Sequence, residues 1–536
     1  MSKNFIYENA TIDEGPPARI RLTTTKRNLD GDQAVSRIKR CSLGEEDPSK
    51  PNKTILLVGE TGAGKSAFIN TFLNYAMGVK KEDKVWYEIV HENVETSKSE
   101  CVTFQVTVYD IFGFEGQTLP FSLTIIDTPG YGDTRGIEND ALVARKLLDL
   151  FRSEDGVSSV DAVGLVLKAS DNQPSDRLIY IFNSVLALFG KDLESNIVAL
   201  ITHSDGMPPK VALKALEDAN IKMAKNEKGQ PVHFVFNNCL STTITEDTEF
   251  GLDQAWAVTI GGMTKLTAFL ENSQSKNLDN TISVLNEQIG LTACVNNLAD
   301  RIDLNKKKQE EIKQTLEGLE KYQNELSSGE KFTLEVDEPY KEKRDIYGGM
   351  RFFMFGGAVT CNVCEENCHY PGCTVAWYPS HCKVMKNGRC TVCTNKCPAN
   401  KHVKEQKKYV IKTRKVSKTI EELKQMHEKN LAMGESLLSK LQDETEKLET
   451  EINSLLDKAY NHLLSLEKNA LSFGSLFAFV DINVIIEELK ERKDTEKVQK
   501  LEEISGQFDK RTWGGLRYAW GNIKSKLAKG IEAIAI

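Results

Sequence analysis

The chain has 536 residues, of which 27% are charged, and its formal net charge at pH 7 is −8. A chain of this length accommodates two or three domains, and the acidic balance argues against a general nucleic-acid-binding protein, which normally carries a basic excess. The first residues hold no apolar core of the signal-peptide type, and no run reaches the roughly 20 apolar residues that span a bilayer. We therefore expect a cytoplasmic protein with no nucleic-acid partner.

The N-terminal stretch differs in character from the rest of the chain. Residues 1–50 mix charged residues, glycine and proline without steady periodicity, so we expect a flexible leader with room for one short ordered piece. Residues 55–58 then form an apolar run that leads directly into Gly-Glu-Thr-Gly-Ala-Gly-Lys-Ser at 59–66. This order predicts a buried strand followed by a phosphate-binding loop of the pattern G-x-x-x-x-G-K-S.

The loop chemistry suits a nucleotide. Glycines let backbone N–H groups converge on phosphate oxygens without interference from a Cβ atom, Lys65 is placed to reach the β- and γ-phosphates, and Ser66 to hold Mg²⁺. Residues 67–73 continue as an amphipathic helix whose N-terminus favours anions. A glycine-rich turn that binds nothing rarely combines all of these features. The residues expected at the phosphates are Gly59, Glu60, Thr61, Gly62, Ala63, Gly64, Lys65, Ser66 and Ala67.

A second motif follows about 60 residues later. Two β-rich runs, 102–111 and 121–126, are separated by a turn-prone stretch and predict an antiparallel hairpin. The second run ends in Asp127-Thr128-Pro129-Gly130, where a nucleotide hydrolase needs a carboxylate that holds Mg²⁺ through water. We therefore predict that Asp127 serves Mg²⁺, that the backbone N–H of Gly130 faces the γ-phosphate, and that 131–139 is a mobile switch. A Pro-Gly turn after an ordinary strand is the alternative.

Three further β-rich runs alternate with helical segments. The runs are at 162–167, 197–201 and 232–236, and the helical segments are at 140–153, 175–189 and 210–225. Alternation of this kind predicts an α/β fold with a mostly parallel central sheet covered on both faces. The run at 197–201 leads into Thr202-His203-Ser204-Asp205, and the run at 232–236 leads into Asn237-Asn238.

The phosphate loop, D-T-P-G, T-H-S-D and F-N-N stand in the order and spacing of the septin-like P-loop GTPases. Over residues 54–272 the chain especially resembles the immunity-associated, avirulence-induced-gene-like family. The resemblance implies a GTPase domain at 51–272 that takes GTP or GDP with Mg²⁺. It places Thr202, His203 and Asp205 at the base, with Asn237 or Asn238 flanking the ring. A carboxylate at Asp205 would accept two hydrogen bonds from guanine, which adenine cannot offer.

The resemblance also implies a switch threonine that serves Mg²⁺. Thr103 fits best, with Thr96 and Ser99 as alternatives. Two departures from the pattern matter. His203 stands where lysine is usual, and Tyr131-Gly132-Asp133 stands where many small GTPases carry a water-orienting glutamine. We therefore expect slow GTP hydrolysis, completed by a second copy in a homo-oligomer formed through the GTPase domain, with GTP as an assembly switch. A nucleotide-bound adaptor that does not hydrolyse is the alternative.

Two charged helical arms are predicted beyond the GTPase domain, at 273–330 and 417–470. Apolar residues recur in alternating four- and three-residue steps in each arm, which is typical of a coiled-coil seam. We predict an antiparallel helical hairpin that carries the intervening residues 331–416 at its far end, with two separate surface helices as the alternative. The second seam contains Leu448, Ile452, Leu455, Ala459, His462 and Leu466.

The segment 331–416 carries a repeated cysteine pattern, flanked by short alternating runs at 333–336 and 409–413 that suggest a two-stranded ribbon. Two sets of four soft ligands fit two tetrahedral Zn²⁺ ions, and the segment has little else with which to fold. The sets are either sequential or interleaved, with His369, His381 and Cys382 as competing ligands. Disulfides are the alternative. The predicted ligands are Cys361, Cys364, Cys368 and Cys373 in one repeat, and Cys390, Cys393, Cys397 and His402 in the other.

The C-terminal segment, 471–536, places Leu516, Trp520, Ile523 and further apolar residues on one helical stripe opposite basic residues. A basic amphipathic helix with tryptophan can lie at a membrane surface, and it can equally dock on the protein's own core. An unidentified protein partner is expected for the arms and the cysteine segment.

Overall fold

A computed structural model describes residues 10–29, 38–90, 105–116, 118–130, 138–153, 155–170, 182–183, 185–325, 333–346, 357–370, 378–382, 384–419, 437–472 and 482–506. The chain divides into two compact units. The first unit comprises 1–285, 467–478 and 504–536, and the second comprises 286–466 and 479–503. Among the described residues, no helix combines the length and apolar character needed to cross a membrane.

The first unit contains thirteen of the described strands and four complete helices. The strands are β1 (Ala10–Asp13), β2 (Ala18–Arg21), β3 (Thr25–Asn28), β4 (Ile38–Leu43), β5 (Asn52–Gly59), β6 (Val85–Glu88), β7 (Val106–Ile111), β8 (Ser122–Asp127), β9 (Ser159–Val160), β10 (Ala162–Lys168), β11 (Ile197–Thr202), β12 (His233–Val235) and β13 (Lys276–Asn277). The helices are α1 (Lys65–Ala76), α2 (Glu138–Arg152), α3 (Lys210–Asp218) and α4 (Glu246–Asn272).

Eight of these strands form one sheet in the order β12-β11-β10-β5-β8-β7-β4-β3. The strands β12, β11, β10, β5 and β8 pair in parallel, whereas β7 and β8 pair antiparallel, as the predicted hairpin requires. The central strands β5, β10 and β11 are almost wholly buried, because helices cover both faces of a parallel sheet and such strands become continuous apolar runs. The predicted α/β fold with a mostly parallel sheet is confirmed.

The first 50 residues are not simply a flexible leader. Strand β4 pairs in parallel with β7, from Ile38 opposite Val106 to Leu43 opposite Ile111, and β3 extends the sheet beyond it. Strands β1 and β2 form a separate sheet with β6. The prediction is wrong for these strands, because pairing at the sheet edge and the burial of Ile38, Cys41 and Leu43 stabilise a sequence that looks irregular on its own.

Helix α3 is shorter than the predicted segment 210–225. It ends at Asp218, and Asn220 follows in the left-handed region with φ of 51°. The backbone N–H groups of Asn220 and Ile221 donate to the carbonyls of Glu217 and Leu216, a pattern that closes a helix C-terminus. Most of the predicted helix at 175–189 lies outside the described residues.

The second unit is built from long helices, a ribbon and small cysteine-rich sheets. Its strands are β14 (Thr333–Asp345), β15 (Ala358–Cys361), β16 (Glu366–His369), β17 (Met385–Lys386), β18 (Arg389–Cys390), β19 (His402–Glu405) and β20 (Lys407–Thr419). Its helices are α5 (Asp279–Glu325), α6 (Leu437–Asn469), α7 (Ile482–Glu491) and α8 (Thr495–Gly506). The first residues of α5 and the last residues of α6 and α8 belong to the first unit.

Helices α5 and α6 run antiparallel. A hydrogen bond joins Glu287 to His462 at 2.6 Å, and ion pairs join Arg301 to Glu451 at 2.6 Å and Lys308 to Glu444 at 2.5 Å. The residue numbers of the partners therefore rise along one helix as they fall along the other. Five of the six predicted seam positions of α6 are buried, and His462 is half-buried. The two helices therefore pair with each other, which excludes two separate surface helices.

The predicted position of the cysteine segment at the far end of this hairpin is wrong. Strands β14 and β20 form a ribbon of thirteen paired positions that folds back along α5, where the Asp337 N–H donates to Gln314 and Lys307 donates to the Ile411 carbonyl. Val336 of the ribbon is buried, and removing its apolar side chain from water favours this packing. The cysteine-rich residues that follow return to the level of Asn296 on α5, whose side chain donates to the Tyr370 carbonyl at 2.6 Å.

Candidate functional site: a phosphate loop and a cysteine module

The predicted phosphate loop lies between β5 and α1. Helix α1 begins at Lys65, and its N-cap residue Gly64 adopts φ of 97°, a left-handed conformation that favours glycine. The loop residues precede the first turn of α1, so backbone N–H groups point out of the helix N-terminus, where anions bind. Ser66 occupies the second position of this helix and is half-buried.

Lys65 is folded onto the loop that precedes it. Its ammonium group donates to the carbonyls of Gly59 at 2.9 Å and Glu60 at 3.0 Å, and the residue is only 8% exposed. Burial lowers the pKa of Lys65, against the raising effect of the Asp127 and Glu60 charges. The ammonium is thus held by neutral carbonyls, which a phosphate anion can replace with a stronger charge-assisted partner.

Asp127 ends strand β8 next to the loop. Its backbone lies opposite Leu57 of β5 and Thr107 of β7, and its Oδ1 atom is buried without a hydrogen-bond partner. Burial raises the pKa of Asp127 to about 6, against the lowering effect of Lys65. A buried carboxylate oxygen without a partner is costly, and a bound divalent cation or its water shell would remove that cost.

The residues after Asp127 lie against the loop. The Thr128 hydroxyl donates to the Leu57 carbonyl at 2.8 Å. A Cβ atom on Gly130 would come within 2.3 Å of the Thr61 hydroxyl and 2.6 Å of its backbone nitrogen, so only glycine permits this approach. Gly130, the residue before the predicted switch, therefore lies directly against the phosphate loop, and residues 131–137 of the switch lie outside the described residues.

The predicted base motif is hydrogen-bonded to the phosphate loop. Thr202 ends strand β11, is fully buried, and donates from its hydroxyl to the Ala63 carbonyl at 2.7 Å. The Ser204 N–H donates to the Phe236 carbonyl at 3.0 Å, which joins the ends of the β11 and β12 strands. Parallel pairing of these two strands brings T-H-S-D and F-N-N to one edge of the sheet.

The polar groups at this edge differ in their present partners. Asp205 is exposed, and one of its carboxylate oxygens accepts from the Met207 N–H at 2.9 Å. Both side-chain polar atoms of Asn238 are buried without partners. His203 has φ of 53°, and its Nδ1 lies 3.0 Å from the Thr202 hydroxyl. The structure thus singles out Asn238 as the amide with hydrogen-bonding capacity to spare.

Thr259 of α4 was not foreseen in the sequence. Its fully buried hydroxyl accepts from the Asn237 N–H at 3.1 Å and donates to the Asn237 carbonyl at 2.9 Å, and so fixes the backbone of the F-N-N motif. A threonine inside an amphipathic helix gives no local signal of such a role. The predicted switch threonine, Thr103, and its alternatives Thr96 and Ser99 lie outside the described residues.

The cysteine module comprises residues 357–370, 378–382 and 384–405. It brings together two groups of ligands that are interleaved rather than sequential, and in each group all ligand atoms lie within 4.8 Å of one another. Cys373 lies outside the described residues, and no disulfide joins the described cysteines. The first group contains Cys361, Cys364, Cys393 and Cys397, and the second contains Cys368, Cys390, Cys393 and His402.

The donor set fits zinc. The Sγ atoms of Cys364 and Cys397 are 3.7 Å apart, close to the separation of about 3.8 Å that two sulfurs take on a tetrahedral Zn²⁺ with bonds of about 2.3 Å. His402 places its Nδ1 3.0 Å from the Pro398 carbonyl, while its buried Nε2 has no partner. A histidine oriented by a backbone carbonyl through one nitrogen presents the other to a metal.

Two of the competing ligands, His369 and Cys382, lie close to each other in the module. The Nδ1 atom of His369 is 3.2 Å from Cys382 Sγ, and both residues are buried. Among the described residues neither joins either group of four. His381 lies in a short 3₁₀ helix, Pro379–His381, and is likewise in neither group.

The class of the first unit follows from this geometry: it is a P-loop nucleotide-binding fold. The comparisons place it further, because the family model described as Septin matches residues 51–146. The chain therefore contains a P-loop domain that resembles the septin-like GTPases over these residues. No curated protein matches the sequence.

Several solved structures match part of the chain at low similarity. Toc33 from Arabidopsis thaliana in complex with Mg²⁺ and GMPPNP is 19% identical, with a TM-score of 0.29, and the match covers 42% of this chain and 86% of that one. Toc33 with GDP and Mg²⁺ is 16% identical, with a TM-score of 0.30 and coverage of 43% and 89%. The apo form of elongation factor SelB from Methanococcus maripaludis is 14% identical, with a TM-score of 0.22 and coverage of 42% and 34%.

Proposed function

We propose that the first unit binds GTP with Mg²⁺ and hydrolyses it slowly, and that nucleotide state controls assembly with a second copy of the chain. The observation that carries this proposal is the buried Asp127 carboxylate oxygen without a partner, placed beside the strand that delivers the phosphate loop and within the electrostatic reach of Lys65. A buried acid and a buried lysine at a glycine-rich loop suit a site built for a cation and an anion together.

The proposed contacts with the phosphates come from Lys65 and from the backbone of the loop around it. Lys65 exchanges the carbonyls of Gly59 and Glu60 for phosphate oxygens, while the N–H groups from Gly62 to Ser66 donate to the same anion. Ser66 and Asp127 are the residues that would hold Mg²⁺, which when bound neutralises charge on the β- and γ-phosphate oxygens. Gly130 presents its backbone to the γ-phosphate side, next to Thr61.

The base side is where guanine selectivity is expected. We assign Asp205 as the acceptor for the N1–H and N2–H₂ edge of guanine, since adenine offers no matching pair of donors. To take this role its carboxylate gives up the hydrogen bond from the Met207 N–H. Asn238 is the amide proposed to flank the ring, with Asn237 held by Thr259 as its support.

Slow hydrolysis is proposed because Tyr131-Gly132-Asp133 stands where a water-orienting glutamine is usual. Phosphoryl transfer depends mainly on positioning and charge neutralisation, so a residue from a facing copy can raise its rate by several orders of magnitude. Arg135 and His203 are the candidate donors. The GTP-bound state is then the one that favours assembly.

Single-turnover GTP hydrolysis tests this function over a hundredfold range of protein concentration that spans a measured dimer dissociation. The expected result is hydrolysis whose rate per subunit rises with concentration. A rate that stays flat shows that each subunit is catalytically complete by itself. No hydrolysis at any concentration, with GTP still bound, makes the protein a nucleotide-bound adaptor instead.

We also propose that the cysteine module holds two structural Zn²⁺ ions and that the protein is cytoplasmic, where its cysteines stay reduced. Support comes from the two groups of four ligands, which have Cys393 in common and in each of which the ligand atoms lie within 4.8 Å of one another. Elemental analysis of freshly purified, reduced protein should find about two zinc ions per chain. Metal-free protein with a folded module would overturn this part of the proposal.

A further inference from the structure

One thiol belongs to both ligand groups of the cysteine module. Cys393 completes four ligands with Cys361, Cys364 and Cys397, and it also completes four ligands with Cys368, Cys390 and His402. The two groups therefore contain seven different residues for the eight positions of two tetrahedra. With ligands from the described residues alone, either one metal lacks a protein ligand or one ligand serves both metals.

The local turns assign Cys393 to the second group. In each C-x₂-C turn the second cysteine donates its N–H to the sulfur of the first, Cys364 to Cys361 at 3.4 Å and Cys393 to Cys390 at 3.4 Å. Turns of this kind aim both sulfurs at one metal. Cys361 and Cys364 thus belong to one ion, and Cys390 and Cys393 belong to the other.

The same sulfur also reaches the first group. Cys397, whose Sγ lies 3.7 Å from Cys364 Sγ, donates its backbone N–H to Cys393 Sγ at 3.3 Å. Cys393 is fully buried at this junction. Without it the first group would offer only three thiols from the described part of the chain, and a closed structural site requires four ligands.

We propose that the Cys393 thiolate bridges two Zn²⁺ ions in a single dinuclear centre. Each of the six cysteine thiols releases its proton to solvent on binding, and the sulfur of Cys393 uses two lone pairs to bond both metals. One ion has four sulfur ligands, and the other has three sulfurs and the Nε2 of His402. The inference rests on the zinc content proposed above and adds that the two sites share one ligand residue.

The first test is X-ray absorption at the zinc edge on the zinc-loaded full chain, combined with elemental analysis. The expected result is about two zinc ions per chain, sulfur-rich coordination and a metal-to-metal scattering shell. Two zinc ions without that shell would overturn the bridge and leave the zinc module intact. One zinc per chain would overturn the dinuclear centre, and no zinc would overturn the zinc module itself.

Variants give a second readout. Cys361→Ser removes a ligand from one ion only, so this matched control should retain about one zinc. Cys393→Ser removes a ligand from both ions and should retain markedly less than Cys361→Ser. Equal zinc retention by the two variants contradicts the bridge. If Cys393→Ser fails to fold, the absorption spectrum of the parent protein still decides the question.

Discussion

Thr202 and Ala63 join the two halves of the nucleotide site: the buried hydroxyl of Thr202, at the end of the strand that carries the base motif, donates to the Ala63 carbonyl in the phosphate loop at 2.7 Å. We expect Thr202→Val, which keeps the shape but not the hydroxyl, to weaken binding of both GTP and GDP about tenfold, because a lost buried hydrogen bond costs about 1–3 kcal/mol. Isothermal titration calorimetry measures the change.

The matched control is Thr202→Ser, which keeps the hydroxyl and should bind nucleotide nearly as the parent does. Equal affinities in the valine and serine variants would show that the bond does not hold the loop in its binding conformation. Secondary structure by circular dichroism should remain unchanged in both.

Asp127→Asn should have opposite effects on the stability of the nucleotide-free protein and on its binding of nucleotide. With an aspartate pKa of about 6 in the folded state and about 4 in the unfolded state, the folded protein binds the proton more tightly, so this group stabilises the fold at low pH. Its contribution is lost as pH rises from about 4 to about 6. At pH 7.5 the asparagine variant should therefore be more stable than the nucleotide-free parent, by up to about 3 kcal/mol, while Mg²⁺-dependent nucleotide binding falls sharply.

Thermal unfolding measures this difference. The transition of the first unit is the one whose midpoint rises when nucleotide is added to the parent, and the midpoint of that transition is compared between parent and variant. The extra stability of the asparagine variant relative to the parent should disappear at pH 4. A variant that is less stable than the parent at pH 7.5, without nucleotide, would show that Asp127 is already satisfied in the folded protein.

The two asparagines of the F-N-N motif should differ. Asn238 has buried side-chain atoms without partners, whereas Asn237 is fixed through its backbone by Thr259. Asn238→Ala should weaken GTP binding more than Asn237→Ala, because a backbone contact survives truncation of its side chain. Competition binding with a fluorescent guanine nucleotide compares the two, and the reverse order would move the base-flanking role to Asn237.

Arg301 should be a stability determinant of the second unit. Its guanidinium lies between Glu366 and Glu451 at 2.6 Å each, and both Arg301 and Glu366 are 5% exposed at their side chains. Arg301→Met removes a positively charged partner of the buried Glu366 carboxylate. Breaking a buried ion pair in this way typically costs about 3–5 kcal/mol. The half-exposed pair Lys308 and Glu444 supplies the control, since Lys308→Met should cost less than about 1 kcal/mol.

Calorimetry of the zinc-loaded full chain tests these variants. The quantity compared is the midpoint of the thermal transition that zinc stabilises. Similar midpoints for Arg301→Met and Lys308→Met would show that the buried network does not stabilise the cysteine module on α5.

Local motifs made much of the first unit predictable. The loop from Gly59 to Ser66, the carboxylate at Asp127 and the alternation of strand and helix depend on residues adjacent in sequence, so pattern and structure agree. Strand β4 was missed because its stability comes from pairing with β7, more than 60 positions away, and β3 was missed because it in turn pairs with β4. Thr259 was missed for the same reason, since its contact with Asn237 spans 22 positions.

In the second unit the cysteine spacing identified the ligand types but not their partners. Two equal repeats are compatible with sequential or interleaved sites, and only the pairing of β15 with both β16 and β19 brings Cys361 next to His402 in register. The ribbon's return along α5 was equally invisible, because it depends on contacts such as Gln314 with Asp337. Periodicity in one helix does not specify what packs against it.

The central claim is that the first unit is a guanine-nucleotide site built on Lys65, Asp127 and Asp205. Calorimetric titration of the parent, Lys65→Ala and Asp205→Asn with Mg²⁺–GTP and Mg²⁺–ATP tests it most directly. The parent should bind GTP much more tightly than ATP, Lys65→Ala should bind neither, and Asp205→Asn should lose the preference. Similar affinities of the parent for GTP and ATP, or unchanged GTP binding by Lys65→Ala, would contradict the account.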